Sequence, residues 1–298
     1  MKIELSIITV NYNGLEDTCA LIDTITFNDN MEVIVVDNGS KTDEAAIIQE
    51  RYPQVKTIRS EQNLGFAGGN NLGIKAAQGQ YLYLINNDTV FDDFQVRPLI
   101  ERLNTSSTIG MVCPKIRFAW EPKPIQFAGY TSLSSVTLRN KSIGYNEPDN
   151  GQYNTPHPTP YAHGAAMMIK RDALEQVGLM PECYFLYYEE LDWSMMFTRG
   201  GFEIWYEPAA TIYHKESQTT GANSPLKTYY ICRNRLLFAQ RNITGQQRLL
   251  TYCYLMAIVI PKDIIKALVK GRFQHISALL RGVLDFHTLS TKLTKQQS

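Results

Sequence analysis

The chain has 298 residues, with 29 Lys and Arg balanced by 29 Asp and Glu; that length allows one large domain or two small ones, and zero net charge argues against a bulk electrostatic nucleic-acid binder. At 44% hydrophobic and 19% charged residues, the composition is globular and excludes a disordered or collagen-like chain. The five cysteines (Cys19, Cys113, Cys183, Cys232 and Cys253) are odd in number and form no C-x-x-C pair, which points to a reducing compartment rather than a disulfide framework or zinc knuckle.

In chain order, Leu5–Val10 reads as a strand ending at the turn cluster Asn11-Tyr12-Asn13-Gly14, and residues 15–27 carry a helical pattern. Met31–Val36 is a β-branched run that stops at Asp37-Asn38-Gly39-Ser40, and Thr42 or Asp43 can cap a helix through Tyr52. Val55–Ile58 predicts a third strand, Asn63–Gly69 a glycine-rich loop leading a helix to about Gln78, and Tyr81–Ile85 a fourth strand ending at Asn86-Asn87-Asp88-Thr89. A helix over Asp92–Leu103 and a strand over Ile109–Cys113 follow. This alternation implies an α/β fold with a mainly parallel, Rossmann-like sheet and right-handed crossovers. Each polar cluster then lies at a strand's carboxyl end, where open α/β sheets bind ligands.

Prolines crowd residues 114–160, which read as hairpins and loops, one wall of a substrate cleft. Strand and helix signals return at Ala165–Ile169, Arg171–Val177, Glu189–Thr198, Glu203–Tyr206 and Pro225–Gln240. The expected organisation is a catalytic domain over 1–240, split into a nucleotide-sugar half (1–115) and an acceptor half (116–240), and a basic helical extension over 241–298.

That extension carries net charge +7 against −7 for residues 1–240, an asymmetry that marks an anionic surface as partner. Its run Leu249–Ile260 is shorter than the ~20 apolar residues of a spanning helix. Lys262, Lys266 and Lys270 then recur opposite Ile264, Ile265, Leu268 and Val269, the profile of a basic helix lying in a membrane interface. A helix packed on the domain with a solvated basic face has the same pattern; the charge asymmetry favours the interface. At the other end, Glu4 and Asn11–Asn13 leave no room for a signal-peptide core. The expected location is the cytoplasm, at the cytoplasmic face of the inner membrane.

No G-x-G-x-x-G follows the first strand and no P-loop pattern is present, so dinucleotide and ATPase readings lose their support. Asp37 can accept from a base N–H or a ribose hydroxyl, and is also a common turn residue. Asn86-Asn87-Asp88 can offer oxygens to a hard divalent cation, or form a polar turn. The combination is more specific. SIITVNYNG, VIVVDNGSKTD, NLGFAGGNNLGIKAAQGQYLYLINNDT, GAAMMIKRDAL, FLYYEELDW, EPAATIYH and YYICRNR occur in that order over residues 3–240. Together they resemble the inverting family 2 glycosyltransferases, nearest the bacterial rhamnosyltransferase-like branch that builds surface polysaccharides such as O-antigen and capsule.

The resemblance implies the GT-A nucleotide-diphospho-sugar transferase fold. It implies a donor pocket of Val10, Asn11, Tyr12, Asp37, Asn63, Gly65, Asn70 and Asn87, with Arg233 on the leaving diphosphate. Asn86 and Asp88 match the family's D-x-D metal motif with Asn at the first position, and His214 matches a histidine that completes coordination of Mg²⁺ or Mn²⁺. Glu190 falls at the general-base position, with Glu in place of Asp, and Asp192 is the alternative. A base is needed because the acceptor hydroxyl must lose its proton as it attacks. Trp120, Tyr130 and His163 are candidate acceptor-facing residues, whereas Trp193, Met195, Met196 and Phe197 read as core. The implied activity moves a sugar, with rhamnose from dTDP-rhamnose as the first expectation and a UDP-hexose as the alternative, to a glycan or lipid-linked oligosaccharide. A non-catalytic nucleotide-sugar-binding subunit is the rival of a different class.

Overall fold

The computed structural model describes residues 3–216 and 224–297, with side chains through residue 291. Met1 and Lys2, and the side chains of Lys292 and Lys295 in the basic tail, lie outside the described residues. Two units emerge from the packing: Met1–Thr131 with Lys141–Phe185 and Glu189–Ser217, and Ser132–Asn140 with Leu186–Tyr188 and Gln218–Ser298. Pro225–Asn242 therefore groups with the C-terminal helices, ahead of the boundary expected at residue 240.

The first unit is built on one mixed sheet. Its strands are β1 (Leu5–Asn11), β2 (Met31–Asn38), β3 (Lys56–Ser60), β4 (Tyr81–Ile85), β5 (Thr89–Val90), β6 (Ile109–Phe118), β7 (Ile125–Phe127), β8 (His157–Pro158), β9 (Ala166–Lys170) and β10 (Glu203–His214). The order is β3-β2-β1-β4-β9-β6-β10-β5, with β7 on β6 and β8 on β10. β1, β2, β3 and β4 run parallel, as the alternating pattern predicts. Their aliphatic runs, such as Ile7, Ile8, Val33 to Val36 and Leu82, are buried, as befits strands covered on both faces. β9 departs from that pattern: it enters antiparallel between β4 and β6.

β6 and β10 run furthest beyond the ends that the sequence indicates, for one reason. Pro114 has no N–H to donate, which suggests a stop after Cys113. Instead β6 continues through it to Phe118, and β6 and β10 lose register between Glu207 and Thr211, opposite that proline. The irregularity absorbs the missing donor. β10 is thereby carried on from Tyr206 to His214.

The helices follow local chemistry. α1 is Leu15–Asp23, and α2 (Glu44–Arg51) starts at Asp43, whose side chain accepts from the Ala46 N–H. α3 (Gly65–Ala76) begins inside the expected glycine loop, because Gly65 takes φ +74° at its start. Gly69 then lets α3 approach β1: a Cβ there would meet Val10 Cγ1 at 2.8 Å. α4 is Arg97–Asn104, shorter at its start than the expected helix, α5 is Arg171–Val177 and α6 is Glu189–Arg199. On α6, Trp193 and Phe197 are buried as core.

The second unit is helical: α7 (Pro225–Asn242), α8 (Gly245–Tyr254), a π turn (Leu255–Val259), α9 (Ile260–Val269) and α10 (Phe273–Gln297). Ser224 caps α7 by accepting from the Lys227 N–H at 3.1 Å, ahead of Pro225. Cys232, Ile260 and Leu279 form its small core. Among the described residues, no helix is long and apolar enough to cross a membrane.

Candidate active site

The carboxyl ends of β1, β2 and β4 form a polar frame. Asn11 is fully buried. Its Nδ2 donates to Glu44 Oε2 at 2.7 Å and its Oδ1 accepts from Thr18 Oγ1 at 2.7 Å. Asn87 Nδ2 donates to the same threonine at 3.0 Å. Asn70 donates to the Phe66 carbonyl one turn back, and Asn63 Oδ1 accepts from the Gly65 N–H and from Asn38 Nδ2. These four amides, expected to touch the donor, each make at least one hydrogen bond within the protein that fixes the frame, and an amide has further donor and acceptor sites for a ligand.

Asp37 is different. Its Oδ1 accepts from the Ser40 N–H at 3.1 Å, whereas Oδ2 is buried without a hydrogen-bond donor, Arg59 Nη1 standing 3.5 Å away. An acceptor left unsatisfied in the interior is costly and is a ready place for a ligand's N–H or O–H. The β1–β2 ladder pairs Asn11 with Asp37, so the half-buried Val10 and Tyr12, 38% exposed, flank its register partner.

A second cluster gathers at the end of β10. The antiparallel pairing of β10 with β5 sets His214 opposite Thr89, beside Asp88. His214 Nε2 lies 3.1 Å from Asp88 Oδ1, and His214 Nδ1 lies 2.8 Å from Gln126 Oε1. All three are buried. A histidine nitrogen that faces a carboxylate oxygen at this distance shares either a proton or a cation with it. The pair would suit a hard divalent ion. Among the described residues no group of three or more His, Cys, Asp and Glu side chains converges. Asn86 is half-buried, its backbone N–H donating to the Ala165 carbonyl at 2.9 Å. Gln126 went unread in the sequence; its one signal is a lone polar residue between Ile125 and Phe127.

Glu190 opens α6 beside the turn at Gly164, where a Cβ would stand 3.8 Å from Glu190 Cγ. Burial, the larger influence, raises its carboxyl above the ordinary glutamate range, against the lowering pull of the Glu190 and Leu191 N–H groups. Tyr130 is raised by burial and then by the Glu190 charge. The Tyr130 ring stacks on His163, with centroids 6.0 Å apart and planes 7° apart. His163 is pushed down to about 3 by burial and then by His214. The Ala165 N–H donates to its Nδ1 at 3.1 Å, so the neutral ring carries its proton on Nε2. Asp192, the alternative base, is fully buried and 3.8 Å from Arg199, whereas Glu190 keeps some exposed surface.

The backbone before Glu190 is strained. Phe185, Tyr187 and Tyr188 hold φ of +67°, +70° and +79°, a region bulky residues avoid and that persists where surroundings over-determine it. The Phe185 carbonyl accepts from the Phe66 N–H at 2.8 Å, and a Cβ on Gly65 would lie 2.2 Å from that oxygen. Gly65 thus joins the α3 loop to the approach to α6. In the second unit, Asn234 Nδ2 donates to the Leu186 and Tyr187 carbonyls at 2.7 and 2.8 Å. Arg233 belongs to that unit too, lying over the Tyr229 and Tyr230 rings, with Nε donating to Asn234 Oδ1.

The family model for Glycosyl transferase family 2 matches residues 6–178. The chain belongs to that family. As a family 2 glycosyltransferase it is 25% identical over 289 residues to the low-salt glycan biosynthesis hexosyltransferase Agl10 of Haloferax volcanii, covering 94% of this chain and 90% of the relative. It is also 25% identical over 218 residues to the N-acetylglucosaminyl-diphospho-decaprenol L-rhamnosyltransferase of Mycobacterium tuberculosis, covering 64% and 68%. Among solved structures, the mannosyltransferase PcManGT of Pyrobaculum calidifontis, in complex with GDP-Man and Mn²⁺, matches with a TM-score of 0.56 at 14% identity, covering 96% of this chain and 87% of that one. GalNAc-T7 with UDP, GalNAc and Mn²⁺ matches with a TM-score of 0.61 at 17% identity, covering 80% and 51%. At such identities these two likenesses establish the fold, the GT-A type.

Proposed function

We propose that this glycosyltransferase transfers a sugar from a nucleoside-diphosphate donor to a glycan or lipid-linked oligosaccharide hydroxyl, with inversion, in surface-polysaccharide assembly. The observation that carries the reading is the buried Asp88–His214 pair, 3.1 Å apart, in the unit that also holds Glu190 and the unsatisfied Asp37. Asp37 and Tyr12 receive the base and ribose. Glu190 takes the proton of the acceptor hydroxyl as its oxygen attacks the anomeric carbon. The bond from that carbon to the diphosphate oxygen breaks, and its electron pair leaves with the nucleoside diphosphate. Mg²⁺ or Mn²⁺, bound by Asp88 and His214 with Asn86 nearby, supplies charge compensation for that leaving group. Tyr130 and the neutral His163 line the acceptor side. Rhamnose from dTDP-rhamnose is the donor favoured by the resemblance and by the name of the mycobacterial relative. The haloarchaeal relative is named a hexosyltransferase, which keeps a hexose, from a UDP-hexose donor, as the second reading.

The helical unit suits the surface of a membrane. Lys262, Lys266, Lys270 and Arg272 share it with exposed Ile265, Leu268, Val269 and Phe273, a combination that binds anionic interfaces. We place the protein at the cytoplasmic face, where a lipid-linked acceptor would be within reach.

The test is nucleoside diphosphate release from a panel of nucleotide sugars, with Mg²⁺ or Mn²⁺ and with chelator. Glu190→Gln should lower turnover by about 10²–10⁴-fold while donor binding persists. Undiminished turnover in that variant would remove Glu190 as the base. Because the Glu190 carboxyl is raised and must be ionised to act, the rate should fall as pH drops through a value above the usual ~4.3 of glutamate. An acid limb at the ordinary position would contradict the assignment.

A further inference from the structure

The helical unit contains a cavity of about 280 Å³ enclosed by α7, the π turn, α9 and α10. Its apolar lining includes Ile231, Leu236, Leu255, Val259, Ala267 and Leu279. Its polar lining is mostly cationic: Lys227, Arg235, Lys266, Lys270 and Arg272, with His275 and the single acid Asp263. The π turn supplies Leu255 and Val259 to the wall; such turns recur at functional sites.

Arg235 decides what the cavity takes. It is 8% exposed, its Nη2 donates to the Thr137 carbonyl, and its Nε has no hydrogen-bond acceptor. A buried guanidinium N–H left without an acceptor is costly, and an oxyanion such as phosphate relieves it with a strong, charge-assisted bond. On the same helices Leu226, Ile265, Leu268, Val269 and Phe273 are 50–82% exposed. A free anion would make no use of that surface, whereas the chains of an amphiphile would.

We propose that this cavity binds the phosphate headgroup of an anionic phospholipid held in a bilayer, with Arg235 as the buried anchor and Lys266 and Lys270 on the exposed side of α9. The proposal rests on the membrane-surface reading above and sharpens it from a charged face to a built site.

The test is sedimentation of the full chain with phosphatidylcholine vesicles and with the same vesicles carrying phosphatidylglycerol. Tighter binding to the phosphatidylglycerol vesicles is expected. Lys270→Gln should weaken it by roughly fivefold, as loss of any charge near the surface would. Ala267→Phe separates the readings, because it fills the cavity and leaves every charge in place. It should weaken binding by roughly tenfold, and so should Arg235→Gln, which removes the anchor. Circular dichroism melts identify any variant that fails to fold, and the two act by different routes. Parental binding by folded Ala267→Phe and Arg235→Gln would overturn the cavity and leave the surface contact standing. Equal binding to both vesicle types, or none, would overturn both. Release by millimolar inorganic phosphate at constant ionic strength would assign the site to free phosphate and overturn the lipid.

Discussion

The two units of this chain treat apolar surface in opposite ways. In the catalytic unit, the described large hydrophobics that reach exposure are Tyr12, Ile47, Trp120 and Tyr145, over some two hundred residues. Between Leu226 and Leu284 in the helical unit there are twelve. A sheet covered on both faces can hide nearly all its aliphatics. Four helices around a core as small as Cys232, Ile260 and Leu279 cannot. The difference teaches that a sheet flanked by helices hides its aliphatics in one large core, while a helical unit with a small core leaves many of its own in solvent.

The comparison breaks most readily at the Lys115–Asp149 pair of the catalytic unit. Lys115 Nζ lies 3.0 Å from Asp149 Oδ2, with side chains 4% and 13% exposed, and donates to Asn154 as well. It ties the loops after β7 to β6. Lys115→Met strands a buried carboxylate and should cost about 3–5 kcal/mol in chemical denaturation; a loss below about 1 kcal/mol would mean that water already reaches the pair. Next, Ile8→Ala removes a fully buried side chain of β1 and should cost about 2–5 kcal/mol. Gln126→Leu is subtler. It removes the acceptor that sets the His214 ring, and should weaken Mn²⁺ binding, read by calorimetry, by about 10–100-fold with little change in melting temperature. Affinity equal to the parent's would show that His214 needs no partner at Nδ1. Smallest is Val269→Ala, at a residue 82% exposed. It should shift stability by less than about 0.5 kcal/mol yet reduce vesicle binding. Ile8 and Val269 are both aliphatic, so comparable stability losses at the two positions would dissolve the contrast between the units.

Much of the fold was legible because local chemistry agreed with tertiary structure. Asp43 caps α2, Ser224-Pro225 opens α7, and the runs at β1, β2 and β4 are the strands they resemble. The misreadings are places where a distant partner overrides the local signal. Pro114 argues for a strand end, and the loss of register with β10 cancels it. Gly65 to Gly69 argue for a loop, and packing on Val10 makes a helix of them. Ala165–Ile169 reads as a strand and is one, at Ala166–Lys170, but nothing local tells that it runs antiparallel. The site divides likewise. Asp37, Asp88, Glu190 and His214 occupy places that chemistry can use. Asn11, Asn63, Asn70 and Asn87 have the right residue type, and only the structure reveals the hydrogen bonds by which they also fix the frame. Gln126 gave almost no signal, because its role depends on a histidine brought beside it by the extension of β10.

The late insertion of β9 carries a consequence for biogenesis. Strand β4, Tyr81-Leu82-Tyr83-Leu84-Ile85, is complete about 80 residues before β9 begins, and β9 is its neighbour on the side away from β1. At the roughly 5–20 residues per second of synthesis, an apolar strand edge therefore emerges and stands unpaired for several seconds. Such an edge templates association between nascent chains. Traffic on the messenger, more than the stability of the finished protein, would then set how much soluble enzyme a cell obtains.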